Sequence, residues 1–136
     1  MNPGSPGASR GGLVIETSWG PQFVPAQAAR SVTPWAAPLP VPGLAPPALG
    51  IAVIEDKVAT VLKVGRDRRE MILCETDAGW VALAGARVVA CGSFPGADGS
   101  SVMWEGHEVQ QLDVDALLVE AERAMWRIRT REEGSK

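Results

Sequence analysis

The sequence contains few of the residues that build catalytic and metal sites. Its 136 residues include one histidine, His107, and two cysteines, Cys74 and Cys91. Because metal ligation needs several converging His, Cys or carboxylate groups, the sequence predicts no metal and no cofactor. A nucleophilic mechanism would need His107 or Cys91 beside a second titratable group, and no nucleophile motif surrounds either residue. We therefore predict that the protein is not an enzyme.

Features that bind phosphate or nucleic acid are also missing. The formal net charge is −3, so no positive field attracts a phosphate backbone. No Walker loop or dinucleotide-type glycine pattern precedes a helix. The five tryptophans follow no basic stripe that would create a platform for stacking bases. Nucleic acid is therefore not a predicted partner.

Charged residues are absent from 32–54, yet this stretch does not predict a membrane span. It carries six prolines, and each removes a backbone donor and clashes with the preceding helical turn. The amino terminus lacks the basic start and apolar centre of a secretory signal. We therefore expect a cytoplasmic protein without direct membrane insertion.

The length and the apolar content of 46% fit one domain with a substantial core. Residues 1–12 are mostly Gly, Ser, Pro and Ala, a composition that predicts a disordered tail. We assign 13–131 to a single domain and 132–136 to a flexible tail. Both cysteines lie among aliphatic residues, which predicts two buried free thiols.

Short apolar runs separated by turn residues predict an all-β fold. In the most informative stretch, 49–64, two Val- and Ile-rich strands fold back through Glu55-Asp56-Lys57. A strand is also expected at 87–91, and 27–33 is either a strand or one helical turn. Three further hairpins are predicted: 13–17 with 22–25, 71–76 with 80–83, and 101–104 with 108–112. This spacing is typical of a barrel or sandwich.

The pattern becomes helical at Asp113, whose side chain can cap the first turn. Apolar residues then recur at helical spacing, which predicts a C-terminal helix with one apolar face. They are Val114, Leu117, Leu118, Ala121, Met125 and Ile128. Arg123, Arg127, Arg129 and Arg131 would complement the negative end of the helix dipole.

Several weak matches in the right order resemble a CheW-like domain, the chemosensory coupling family. The family pattern has an opening strand, a proline-containing turn, Leu-Gly, a hydrophobic hairpin, a later hairpin and a terminal Leu-Asp-hydrophobic segment. The corresponding residues here are 13–16, 42–47, Leu49-Gly50, 51–64, 71–88 and 112–118. The resemblance covers nearly all of 13–118.

This resemblance implies two small five-stranded β-barrels with a C-terminal α-helix and a hydrophobic groove. It implies a non-catalytic adaptor that couples the cytoplasmic tip of a chemoreceptor to the regulatory domain of a CheA-type histidine kinase, with other CheW-like proteins as further candidate partners. The residues that it suggests for partner binding are Leu49, Gly50, Ile54, Glu55, Asp56, Lys57 and Val58. Trp35, beside a Pro-rich turn that we expect to be exposed, is a further candidate anchor for a partner.

Departures from the family pattern indicate a divergent or accessory member. Glu55-Asp56 replaces the usual Arg-Gly of the hairpin turn, Thr60 replaces a proline, and Ala86 replaces an acidic residue. Reversal of charge at a partner-facing turn changes which surfaces can associate. We therefore expect binding to only some of the usual partners.

Two alternatives remain at this point. The first is an unrelated small β-barrel interaction module whose Pro-rich segment, 38–47, is itself a ligand for an aromatic groove. The second is a small enzyme that uses His107 or Cys91. A count of barrels tests the first alternative, and a pocket around His107 would favour the second.

Overall fold

A computed structural model describes residues 8–42 and 46–123, and it confirms the predicted all-β class. The ten strands are β1 Ser9–Thr17, β2 Gly20–Pro25, β3 Ala29–Pro34, β4 Ala48–Ile54, β5 Lys57–Lys63, β6 Asp67–Thr76, β7 Gly79–Gly85, β8 Arg87–Pro95, β9 Val102–Trp104 and β10 His107–Val109. A helix, α1, begins at residue 114 and continues to 123, the end of the described chain.

The strands form three hydrogen-bonded sheets in two halves. One half is a five-stranded sheet in the order β3-β6-β7-β5-β4; the other combines a three-stranded sheet, β2-β1-β8, with the β9-β10 hairpin. Single bridges, Gly96 to Val102 and Phe23 to Gln111, link the sheets of the second half. The family resemblance implied two closed barrels, and the structure corrects this expectation. Each half has five strands, but the hydrogen-bonded ladders of the described residues do not close into a barrel.

Three layers of apolar side chains explain why the chain adopts this arrangement. A central core contains Ile15 and Val24 from the second half and Leu62 and Leu83 from the first, and it also receives Leu118 of α1. Alternate residues of the same strands face two outer cores. Val61, Met71 and Leu73 lie under the five-stranded sheet, and Val14, Phe23 and Phe94 lie inside the second half. Burial on both faces accounts for continuous apolar runs such as 81–84.

The hairpin of 49–64 forms as predicted. Ile54 pairs with Lys57, so the turn contains only Glu55 and Asp56. Their φ angles are +51° and +64°, the left-handed pair that a two-residue turn of this kind requires. The other predicted hairpins also form, with β1-β2, β6-β7 and β9-β10 paired antiparallel. Segment 27–33, for which strand and helical turn were both open, contains most of β3, which extends to Pro34.

The predicted tail of 1–12 is partly wrong. β1 begins at Ser9, and Ser9 pairs with Pro95 of β8. The guanidinium of Arg10 lies 5.0 Å from the centre of the Phe23 ring and donates a hydrogen bond of 2.7 Å to Gln111. Pairing with β8 and the contacts of Arg10 offset the conformational entropy that is lost when this segment becomes ordered. Composition alone could not reveal these long-range contacts. Residues 1–7 lie outside the described residues.

The helix begins where it was predicted. The carboxylate of Asp113 accepts a hydrogen bond of 2.9 Å from the backbone N–H of Ala116, as a helix cap does. Val114, Leu118 and Ala121 are buried in the central core. Met125, Ile128 and three of the four arginines of the predicted helix end lie outside the described residues. Within the described chain, no helix is long and apolar enough to cross a membrane.

Two glycines cross at close range: Gly65, in the connection between β5 and β6, and Gly85, at the end of β7. A Cβ atom on Gly65 would overlap the carbonyl oxygen of Gly85, and a Cβ atom on Gly85 would overlap the carbonyl oxygen of Gly65. Gly85 also has a φ of +92°, which favours glycine. Only residues without side chains fit this crossing.

Candidate functional site

An apolar groove of about 420 Å³ lies between the two halves of the molecule. β1 and β8 supply one wall, where Leu13 and Cys91 are paired across the ladder. β3 supplies the other wall through Ala29, Ser31 and Val32. Val32 is 42% exposed, so an apolar side chain on an edge strand faces solvent. The groove can bury an apolar segment of a partner, because burial of such a surface is favourable.

One end of the groove continues into the β4-β5 turn. The hydroxyl of Ser31 donates a hydrogen bond of 2.6 Å to the carboxylate of Glu55. Arg30, beside Ser31, makes an ion pair of 3.1 Å with Glu75. The groove therefore has a polar, charged rim at this end, the arrangement that is typical of protein interfaces.

Four of the predicted partner-binding residues lie at the β4-β5 turn, and Glu55 joins the rim through its hydrogen bond to Ser31. Glu55, Asp56, Lys57 and Val58 are exposed, and Val58 keeps 62% of its surface in solvent. The ammonium group of Lys57 lies 5.3 Å from the centre of the Trp80 ring, which restrains its position. Their role in binding remains a prediction.

Two other predicted residues are not accessible, and this corrects the sequence analysis. Ile54 was expected at an exposed edge, but it is 6% exposed and packs under the five-stranded sheet. Alternation along β4 turns Val53 outward in its place, with 67% exposure. Gly50 is buried where the segment at Leu39 crosses β4, and a Cβ atom on Gly50 would overlap the carbonyl oxygen of Leu39.

Trp35 and Leu49 lie in a different place from the rim residues. Both line a second pocket, at the end of β4 and β5 remote from the turn. Trp35 is half-buried and packs against the core under the five-stranded sheet. The structure thus divides the predicted site into a rim at the β4-β5 turn and a pocket at the opposite end of the hairpin.

Among solved structures, the chain is similar to the scaffolding protein TtCheW from Thermoanaerobacter tengcongensis. The match has a TM-score of 0.60 and covers 79% of this chain and 90% of that chain, at 10% sequence identity. This chain has a CheW-like fold. No protein-family model and no curated protein matches the sequence. The structural comparison therefore confirms the CheW-like fold that the weak sequence resemblance implied, although the two chains are only 10% identical in sequence.

The two cysteines have opposite environments. Cys74 is buried, as predicted, and burial raises the pKa of its thiol to about 12. Cys91 is exposed in the groove, so the prediction that both thiols are buried is wrong. The aliphatic neighbours of Cys91 in sequence alternate to the other face of β8, where Ala90 packs on the outer core of the second half.

We expect a thiol reagent such as Ellman's reagent to titrate one thiol per native molecule at pH 8. Cys91 is accessible, whereas Cys74 is shielded and remains protonated well below its raised pKa. In denaturant both thiols should react. Cys91→Ser should remove the rapid phase, and two rapid thiols in the native protein would contradict the burial of Cys74.

Sequence reasoning missed the groove residues. Leu13, Ala29, Val32 and Cys91 come from three strands that are far apart along the chain, and no local motif marks them. His107 lies exposed on β10 and does not line the groove that contains Cys91. Within 8–42 and 46–123, no three His, Cys, Asp or Glu side chains are placed to hold a metal ion.

Proposed function

We propose that this protein is a non-catalytic adaptor of a bacterial chemosensory pathway. It binds the cytoplasmic tip of a chemoreceptor, the regulatory domain of a CheA-type histidine kinase, or both. The observation that carries the proposal is the apolar groove between the halves, which continues through Ser31 into the charged β4-β5 turn. The CheW-like fold supports it.

The mechanism is binding alone. The groove offers apolar contact area, and its rim offers charges that select among partners. Because both belong to one packed unit with a shared core, their relative geometry is fixed. A partner on one surface can then bias the state of a partner on another through rigid contacts.

The Pro-rich segment is less suited to serve as a free ligand. Leu39 exchanges backbone hydrogen bonds of 2.8 and 3.0 Å with Ile51 of β4, so this part of the segment is held on the sheet edge. A polyproline ligand presents its side chains from an extended, unpaired backbone. This favours the adaptor over the alternative in which the segment itself is recognised.

Binding of purified receptor cytoplasmic fragments and kinase regulatory domains from the same genome tests the proposal. Alkylation of Cys91 with a bulky maleimide should block the groove and weaken binding at least about tenfold, since a hot spot contact contributes 2 kcal/mol or more. Maleimide-treated Cys91→Ser, with its buried Cys74, is the matched control and should bind normally. If no receptor fragment and no kinase domain binds the untreated protein, the proposal is wrong.

We expect Glu55→Arg to change partner choice rather than folding. Glu55 is exposed, and its bond to Ser31 is also exposed, so the free energy of unfolding should change by no more than about 0.5 kcal/mol. Association with a receptor tip or kinase domain should change most at low salt, where rim charges act strongly. Stopped-flow association rates at two salt concentrations measure this.

Glu105→Arg is the matched control for that variant, because Glu105 is also exposed at a hairpin turn with a positive φ of 49°. It should leave association rates unchanged. If Glu55→Arg unfolds the protein, or if both variants behave alike with every partner, the β4-β5 turn is not part of the interface.

A further inference from the structure

The second pocket, at the end of the β4-β5 hairpin remote from the turn, concentrates positive charge in a protein whose net charge is −3. It has a volume of about 580 Å³. Lys63 and Arg66 line it together with Arg68, and all three are exposed. The stretch 63–69, from the last residue of β5 to the first residues of β6, holds four cationic residues and one aspartate.

The one acidic residue that lines the pocket is already engaged. The carboxylate of Asp67 accepts a hydrogen bond of 2.9 Å from the backbone N–H of Arg69, and it lies 3.8 Å from the Nε atom of the same residue. Within 8–42 and 46–123, the ion pairs are Arg69 with Asp67 and Arg30 with Glu75. The three lining cations therefore have no acidic partner among the described residues.

The pocket also has large apolar lining residues. Trp35 and Leu49 line it, and Leu49 is 37% exposed. The guanidinium of Arg68 lies 5.8 Å from the centre of the Trp35 ring, so the aromatic face restrains the cation next to these apolar residues. A ligand that fits both the cationic and the apolar lining residues carries negative charge and an apolar group close together.

We propose that this pocket binds an acidic segment of a partner protein, with carboxylates on Lys63, Arg66 and Arg68 and an apolar side chain against Trp35 and Leu49. The planar guanidinium group of arginine matches the planar carboxylate and can donate two parallel hydrogen bonds to its oxygens. Phosphate sites typically add backbone N–H groups at a helix N-terminus, and α1 contributes no residue to the pocket. The volume suits the side chains of a few residues.

The pocket is separate from the groove, so this inference goes beyond the proposed function and does not depend on it. Leu49 lies near the start of β4, six residues before Glu55 of the turn, which separates the pocket from the turn by about 20 Å. A partner could therefore occupy each surface at the same time.

Fluorescence anisotropy with a labelled pentapeptide tests the proposal. The probe has two glutamates, a leucine and two aspartates in the order Asp, Glu, Leu, Glu, Asp, with both ends blocked. A second peptide replaces every carboxylate with its amide, and a third replaces leucine with glycine. We expect the acidic peptide to bind, the amide peptide to lose binding, and the glycine peptide to bind several-fold more weakly.

Arg68→Glu should weaken binding of the acidic peptide at least about tenfold, because an attractive charge becomes a repulsive one. Arg123→Glu makes the same charge change at an exposed position of α1 and should stay within about twofold of the original protein. Alkylation of Cys91 should not affect the peptide, which separates this result from any test of the groove. Equal weakening by both variants, or equal binding of the amide peptide, would overturn the proposal. Stronger competition by inorganic pyrophosphate than by unlabelled acidic peptide would also overturn it, in favour of a phosphate site.

Discussion

Gly85→Ala is expected to destabilise the protein by about 4 kcal/mol or more, enough to unfold a domain of marginal stability. The alanine must adopt a φ near +92°, and its Cβ atom must also displace the backbone of Gly65. A flexible side chain could move aside, but the neighbour here is a carbonyl group in a buried crossing. Urea unfolding followed by tryptophan fluorescence would measure the loss.

Gly20→Ala is the matched control, because Gly20 has nearly the same φ, +95°, and nothing lies within 4 Å of the added Cβ atom. This variant introduces only the backbone strain, so its free energy of unfolding should fall by about 1 to 2 kcal/mol. Gly65→Ala introduces the overlap at a position without a positive φ, and its loss of stability should be close to that of Gly85→Ala. If Gly85→Ala and Gly20→Ala cost the same, the crossing is not rigid and the described contact is wrong.

Val32→Glu is expected to weaken binding of a receptor tip or kinase domain by a factor of about 30 or more, if the groove is the interface. Val32 faces the groove from the edge strand β3 and is 42% exposed. A carboxylate there would be desolvated by an apolar partner without a compensating charge, which is costly at the centre of an interface. Isothermal titration calorimetry measures the affinity.

Val119→Glu is the control for this variant, since Val119 is 48% exposed on α1 and does not line the groove. Both variants should unfold within about 1 kcal/mol of the original protein, as expected for exposed positions. A loss of affinity in both, or in neither, would remove the groove from the interface.

Local elements of this fold could be predicted from the sequence because their signals are local. Glu55-Asp56 stands between two strands of Val and Ile, and Asp113 stands directly before a helical pattern. Both signals depend on neighbours within a few residues. The CheW-like fold was also predicted from the order of such elements, and the structural comparison confirms that fold.

The arrangement of the two halves could not be predicted in the same way. β1 pairs with β8, and Ser9 lies opposite Pro95, although no sequence pattern specifies which distant strand is the partner. The exposure of Cys91 and the groove depend on that pairing. The burial of Ile54 depends on the phase of alternation along β4, and an error of one residue reverses inside and outside.

The pairing of β1 with β8 also sets the order of events during synthesis. The β1-β2 hairpin leaves the ribosome well before β8, the strand that completes its sheet, because the entire five-stranded half lies between them in the sequence. A nascent chain that ends before residue 91 has an incomplete groove, because Cys91 and Gly92 of β8 share one wall with β1. The complete groove therefore forms only late in translation, and fragments released early would present an incomplete surface to any partner that binds there.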